Sequence, residues 1–293
     1  MHVLVTGGTG TVGSQVVREL VARKADVTVL TRSAGKASQL PDGVKAVEGD
    51  LREPSTVRRV FADADAVFLL NTVSPTEAHE GLLSVTAMRH ARPKHVVYLS
   101  VHHADTAAWL PHFGAKVGIE EALKVSGLPH TILRPNNFHQ NDYWFKDVIL
   151  NYGIYPQPIG QKGCSRVDVR DIAEAAAIRL LSASSTSETY DIVGPDVHTG
   201  ESTARTWSRV LDREIKYGGD DLDAWEQQSL QYLPDWMVYD FREMYAFFQR
   251  EGFTGTPEAV ARVTELLGHP PRSFDAFAEE TAAMWRESGG SAS

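Results

Sequence analysis

The chain has 293 residues, of which 42% are hydrophobic, and a formal net charge of −9. This supports one large globular domain or a core with a smaller lobe, and the acidic balance excludes a nucleic-acid groove held by bulk charge. The single cysteine, Cys164, excludes an internal disulfide and fits a reducing compartment. No apolar run approaches the ~20 residues of a membrane span, and with an apolar strand beginning at His2 no secretory leader is expected. A cytoplasmic protein is expected.

In chain order, the first predicted strand is His2–Thr6. It runs into Gly7, Gly10 and Gly13, and then into a helix near 13–24 with Val16, Val17, Leu20 and Val21 on one face. Strand, glycine turn and helix is the context of a dinucleotide site. Gly7 permits the turn, Gly10 lets backbone approach a pyrophosphate, and Gly13 lets helix pack on strand. The N–H groups of Thr9, Thr11 and Val12 then lie where anionic phosphates are held. The spacing is G-x-x-G-x-x-G. Further strands are expected at Asp26–Thr31, Val44–Glu48, Ala66–Leu70, His95–Ser100 and His130–Arg134, with helices near 54–62, 77–91 and 112–126. Nearly all-apolar strands such as Val67-Phe68-Leu69-Leu70 suit a sheet covered on both faces. The predicted fold is α/β, a Rossmann-type doubly wound parallel sheet with a smaller C-terminal α/β lobe.

The second half differs. Residues 136–164 are rich in Asn, Gly, Pro and aromatics. A strand end and helix over Val167–Leu181 and a strand at Thr189–Val193 suggest that 165–195 return to the 1–135 core. Residues 136–164 and 196–286 then form a substrate-side lobe, and 287–293 a disordered tail. Trp236, Tyr239, Phe241, Tyr245, Phe247 and Phe248 read as lobe core, a subunit contact or an aromatic pocket. The long C-terminal helices leave open packing on their own domain or in a homodimer.

Ligands of such a sheet sit at the carboxyl ends of its strands. After the second strand, an acid that would meet a free ribose 2′-hydroxyl is absent. Arg32, with Lys36 nearby, suits a 2′-phosphate, which favours NADP(H) over NAD(H). Asp50, followed by Leu51, either faces adenine or caps the next helix. Asn71 and Thr72 form a polar turn beside ribose and pyrophosphate. The Pro135 backbone and the Asn137 side chain are candidate nicotinamide partners. His102, His139, Tyr143 and Trp144 are candidate pocket residues for a flat aromatic substrate. The nearby histidines lack metal-site spacing, so no metal is expected, and no nucleophile elbow supports a hydrolase.

The glycine turn, Leu30-Thr31-Arg32, Gly49-Asp50-Leu51, Lys116 with Ile119-Glu120-Glu121-Ala122-Leu123, the Ser126–Pro135 segment and Val167–Ala173 together resemble the NmrA-like branch of the short-chain dehydrogenase/reductase superfamily. The resemblance implies a Rossmann domain and a smaller C-terminal lobe. It also implies Ser100 and Lys116 at the positions of the superfamily's catalytic Ser and Lys, with Lys116 holding the nicotinamide ribose. The superfamily's Tyr position is His112, a candidate proton donor in its place. The expected activity is an NAD(P)-dependent oxidoreductase acting on a quinone-like or polycyclic aromatic molecule, in natural-product tailoring. Alternatives are a monooxygenase of an aromatic polyketide and a non-catalytic redox sensor that binds a regulatory protein.

Overall fold

The computed structural model describes residues 1–182 and 186–289. In chain order its elements are β1 (His2–Thr6), α1 (Thr11–Ala22), β2 (Asp26–Thr31), β3 (Lys45–Glu48), α2 (Pro54–Phe61), β4 (Ala66–Leu69), α3 (Glu77–Ala91), β5 (His95–Leu99), α4 (Pro111–Val125) and β6 (His130–Pro135). They continue with β7 (Ile154–Tyr155), α5 (Val169–Leu181), β8 (Glu188–Ile192), α6 (Gly200–Leu211), β9 (Lys216–Tyr217), α7 (Leu222–Ser229), α8 (Asp235–Glu251), α9 (Pro257–Leu267) and α10 (Phe274–Gly289). The chain divides into two compact units. Among the described residues, the first comprises 1–135, 169–182, 186–192 and 262–268, and the second 136–168, 193–261 and 269–289.

The first unit is built on a seven-stranded sheet of order β3-β2-β1-β4-β5-β6-β8. Every pairing is parallel. Val3, Leu4, Val5, Val67 and Phe68 are fully buried, as a sheet covered on both faces demands. The apolar stripe Val12, Val16, Val17 and Leu20 of α1 packs with α5. The alanines of α5 (173, 175, 176 and 177) are buried and let the helix axes approach closely. Ile119 and Leu123 of α4 join Val85 and Met88 of α3 and Val57 and Phe61 of α2 in one core cluster with Leu4, Val67 and Val96. The strand order reverses between β1 and β4. The carboxyl ends of these two strands are the topological switch point, where ligands of open α/β sheets bind.

The second unit has its own core. Trp207 of α6 stacks on Trp285 of α10, ring centroids 4.8 Å apart, and Phe248 stacks on Phe253 at 4.4 Å. Arg166 and Asp142 form a fully buried ion pair at 2.6 Å. Trp207 Nε1 donates to the same carboxylate at 2.9 Å, and the guanidinium lies 4.7 Å from the Phe274 ring centre. A buried pair persists only with such additional partners. In α8, Tyr245, Phe247 and Phe248 are buried as core while Tyr239 is exposed.

The expected bounds shift. Residues 165–168 and 193–195 belong to the second unit and 262–268 to the first; Arg166 is tied to Asp142 of the second unit. The last strand of the sheet is Glu188–Ile192, one residue earlier than expected. Residues 287–289 are helical, as the end of α10, whose Trp285 is anchored on Trp207; positions 290–293 lie outside the described residues. Among the described residues no helix is long and apolar enough to cross a membrane, and no cluster of side chains has the makings of a metal site.

Candidate cofactor and active site

At the end of β1, Gly7 adopts φ +65° and lies against Leu70, a left-handed conformation that favours glycine. Gly10 N–H donates to the Gly7 carbonyl at 3.0 Å, closing the turn. A Cβ on Gly13 would come within 2.1 Å of that carbonyl. Helix α1 starts with Gly10 as N-cap, with no side-chain cap and no acidic residue in the first turn. Its N–H groups and the positive end of its dipole are therefore left for an external anion. Thr9 is half-buried, Thr11 exposed and Val12 buried in α1, so the Val12 side chain packs inward.

Thr6 fastens this turn to β4. Its hydroxyl accepts from Leu70 N–H at 2.7 Å and donates to the Leu70 carbonyl at 2.8 Å. The next residue, Asn71, is only 4% exposed, and neither its Oδ1 nor its Nδ2 has a hydrogen-bond partner. Buried amides are ordinarily satisfied. An orphan amide at the switch point, beside a glycine cradle that no side chain can enter, fits a dinucleotide whose polar groups complete it. Thr72 is exposed.

At the adenine side, Arg32 is exposed at the end of β2 and Leu51 is buried. Asp50 is held by Arg52, whose Nη2 and Nε bond it at 2.5 and 3.0 Å. That hydrogen bond, with charge from Arg52 and Arg32, brings its carboxyl down to about 2. Asp50 does not cap α2: the N-cap is Glu53, without a side-chain cap bond. Asp50 orders its own turn and faces Arg32's field. The pairing with Arg52 was not foreseen from the sequence.

Along β5, β6 and α4 the residues expected to do chemistry are all buried and engaged. Ser100 Oγ donates to Glu120 Oε1 at 2.5 Å, and Arg134 donates to the same carboxylate through Nε at 2.9 Å and Nη2 at 2.6 Å. Arg134 Nη1 reaches on to Asp105 at 2.8 Å. Ser100 is thus committed to a structural carboxylate. Lys116 Nζ is paired with Glu77 Oε1 at 2.5 Å. His112, in the first turn of α4, is buried with its ring edge-on to Phe113 at 4.7 Å. His102 N–H donates to the Pro135 carbonyl at 2.9 Å, so that carbonyl keeps one lone pair for a ligand. The His102 ring is buried with Nδ1 3.2 Å from Asp191 at the end of β8. Burial raises the Asp191 carboxyl, but His102 and the charge of Arg134 outweigh it and leave it lowered. Tyr98 is fully buried in the sheet.

Asn137, His139, Tyr143 and Trp144 lie in the second unit. Asn137 Oδ1 accepts from Arg166 Nε at 3.2 Å. His139 is fully buried between Phe274 and Phe277, centroids 5.2 and 5.3 Å away, with Nε2 bonded to the Arg166 carbonyl at 3.0 Å. Desolvation, aided by the Arg166 charge, pushes its pKa well down. It is a neutral core histidine, which corrects its assignment to a substrate pocket. Tyr143 packs on Phe277 at 5.5 Å with its edge in solvent, and Trp144 is 73% exposed. Both present open aromatic surface.

The sequence reading missed the acidic partners: Glu77 for Lys116, Glu120 for Ser100 and Arg134, and Asp191 for His102. Glu120 carried a signal. It shares a helical face with Lys116, Ile119 and Leu123, all buried, and a carboxylate on a buried face requires a cationic partner. Glu77 and Asp191 carried none, because their partners are set by topology.

A profile of the NmrA-like family matches residues 1–278. The chain is 31% identical over 286 residues to an NAD(P)H azoreductase of Xenophilus azovorans, covering 97% of this chain and 99% of that protein. It is 30% identical to a (4-alkanoyl-5-oxo-2,5-dihydrofuran-3-yl)methyl phosphate reductase of Streptomyces griseus, covering 96% and 98%. Among solved structures it resembles an NADPH-dependent quinone oxidoreductase of Escherichia coli in complex with NADPH, with TM-score 0.85, 19% identity, and 95% and 99% of the two chains covered. The profile covers most of the chain, and the chain belongs to the NmrA-like family.

Proposed function

We propose that the protein is an NADPH-dependent reductase of electron-poor aromatic acceptors, quinones or azo compounds. The carrying observation is the orphaned Asn71 amide beside the Gly7–Gly13 cradle, with Arg32 standing where an acid would select the 2′-hydroxyl. In this reading the N–H groups at Gly10–Val12 hold the pyrophosphate. Asn71 and Thr72 meet the ribose-phosphate, Leu51 lies against adenine, and Arg32 binds the 2′-phosphate as a guanidinium suits it. Lys116 holds the nicotinamide-side ribose, and the remaining Pro135 lone pair takes the carboxamide. NADH has the same contacts apart from that of Arg32 and is the weaker cofactor.

When bound, a reduced nicotinamide supplies a hydride at its C4. The chain's own part is to orient the acceptor and limit water. Ser100 is engaged by Glu120 and no Tyr stands four residues before Lys116, so no phenol serves as donor there, and His112 is the proton donor. A quinone or azo acceptor tolerates a weaker donor than an aliphatic ketone does. Azo and quinone reduction by the relatives named above supports the acceptor class. The test is NADPH oxidation at 340 nm with a panel of quinones and azo dyes. Turnover with at least one, and preference for NADPH over NADH, is expected; NADPH binding without turnover on any acceptor would overturn the reading.

A further inference from the structure

We propose that Glu77 is a positioning residue for Lys116, holding its ammonium in place to complete the ribose subsite on the nicotinamide side; this rests on the NADPH reading above. Glu77 opens α3, six residues after the orphaned Asn71, and Lys116 lies in the second turn of α4. The two side chains are 1% and 9% exposed, and Nζ stands 2.5 Å from Oε1. A lysine has a long, flexible stem and a compact charge. Left alone at the sheet edge, it would hold no single position. A carboxylate this deep binds it with little competition from water and gains from the positive end of α3.

Tyr98 is fully buried, and its phenol is pushed up, first by burial and then by the charges of Glu77 and Glu120. Arg134 and Ser100 already occupy Glu120, so Glu77 is the carboxylate that serves Lys116. An ammonium has three donors and no acceptor. Glu77 takes one and the rest remain for hydroxyl oxygens, so the pair stays intact as a ribose docks. Pre-forming the donor removes the ordering cost from the binding step.

The consequence is selective. Glu77 matters for ligands that carry the nicotinamide ribose and not for those that end at the adenosine half. The experiment titrates the full-length protein with NADPH and with adenosine 2′,5′-bisphosphate, using calorimetry. For E77Q, the NADPH Kd is expected to rise about tenfold, with adenosine 2′,5′-bisphosphate unchanged, and E77D to recover part of the loss. Equal loss for both probes would mean a folding role, and no loss would mean no role; either overturns the proposal. Should E77Q fail to fold, K116M is compared with E77Q/K116M, which removes both charges together. Equal NADPH Kd in these two supports action through Lys116, and a further loss in the double variant overturns it. A wild-type protein that binds neither probe would bring down the NADPH reading itself. Wild-type binding of both, with E77Q indistinguishable from it, would bring down only the role of Glu77.

Discussion

Gly13 leaves no space for a side chain, since a Cβ there would stand 2.1 Å from the Gly7 carbonyl. Gly13→Ala must therefore shift backbone at the tip of β1. The expected cost is about 1–3 kcal/mol of stability, together with loss of NADPH binding, read by urea unfolding and by fluorescence titration. Retained affinity would show that the turn is not the phosphate site. Arg32 separates the two cofactors. It is exposed, so Arg32→Ala leaves the fold intact and removes a charge-assisted contact with the 2′-phosphate. The NADPH Kd is expected to rise about 10- to 100-fold and that of NADH by less than about threefold. Equal effects on the two would place the 2′-phosphate elsewhere.

At the level of elements, the sheet was readable because its strands are short apolar runs ended by glycine or polar turns. His2–Thr6 and Asp26–Thr31 have the predicted bounds. What joins these elements was not readable. Glu120 and Arg134 lie on α4 and β6, and their pairing depends on how the helix is laid on the sheet. His139 was misread because an imidazole in an Asn- and aromatic-rich segment looks like a pocket residue, whereas two phenylalanines from α10, distant in sequence, bury it. Glu120 braces β5, β6 and α4 by accepting from Ser100 and Arg134. Glu120→Ala leaves the Arg134 charge without its buried partner, and a loss of about 3–5 kcal/mol is expected in urea unfolding; a loss under about 1 kcal/mol would show that Asp105 suffices. The start of β5 gives the first unit a pH dependence. His95 is buried with Nε2 2.8 Å from Thr131 Oγ1. Desolvation, and then the charges of Arg179 and His130 against that of Glu188, take its pKa down to about 4. The unfolded chain binds this proton near 6.5 and the folded one only near 4. Stability is therefore complete above about pH 6.5 and falls as pH drops toward 4. His95→Gln should flatten this slope by on the order of 1–2 kcal/mol, allowing for solvent screening, measured as unfolding free energy at pH 5 against pH 7.5.

Across the whole molecule, a ligand that binds only the folded state stabilises it by mass action, so NADPH is expected to raise the melting temperature in a concentration-dependent way. At about 100 times the Kd the gain is about 2.7 kcal/mol. The distribution of that gain tests the division of the chain. The cradle, Asn71, Arg32 and Lys116 all belong to the first unit, whereas the core around Trp207, Trp285 and the Arg166–Asp142 pair belongs to the second. Amide hydrogen exchange with and without NADPH should show added protection concentrated in the β1–α1 turn and the segment between β4 and α3. Both surround the unsatisfied Asn71 amide, and both are where a bound dinucleotide supplies the missing partners. The α6 and α10 amides, held by aromatic packing and a buried ion pair, should gain far less. Uniform protection of both units would mean that cofactor binding and the second core are coupled as one cooperative unit. Protection confined to the second unit would remove the dinucleotide from the sheet edge altogether.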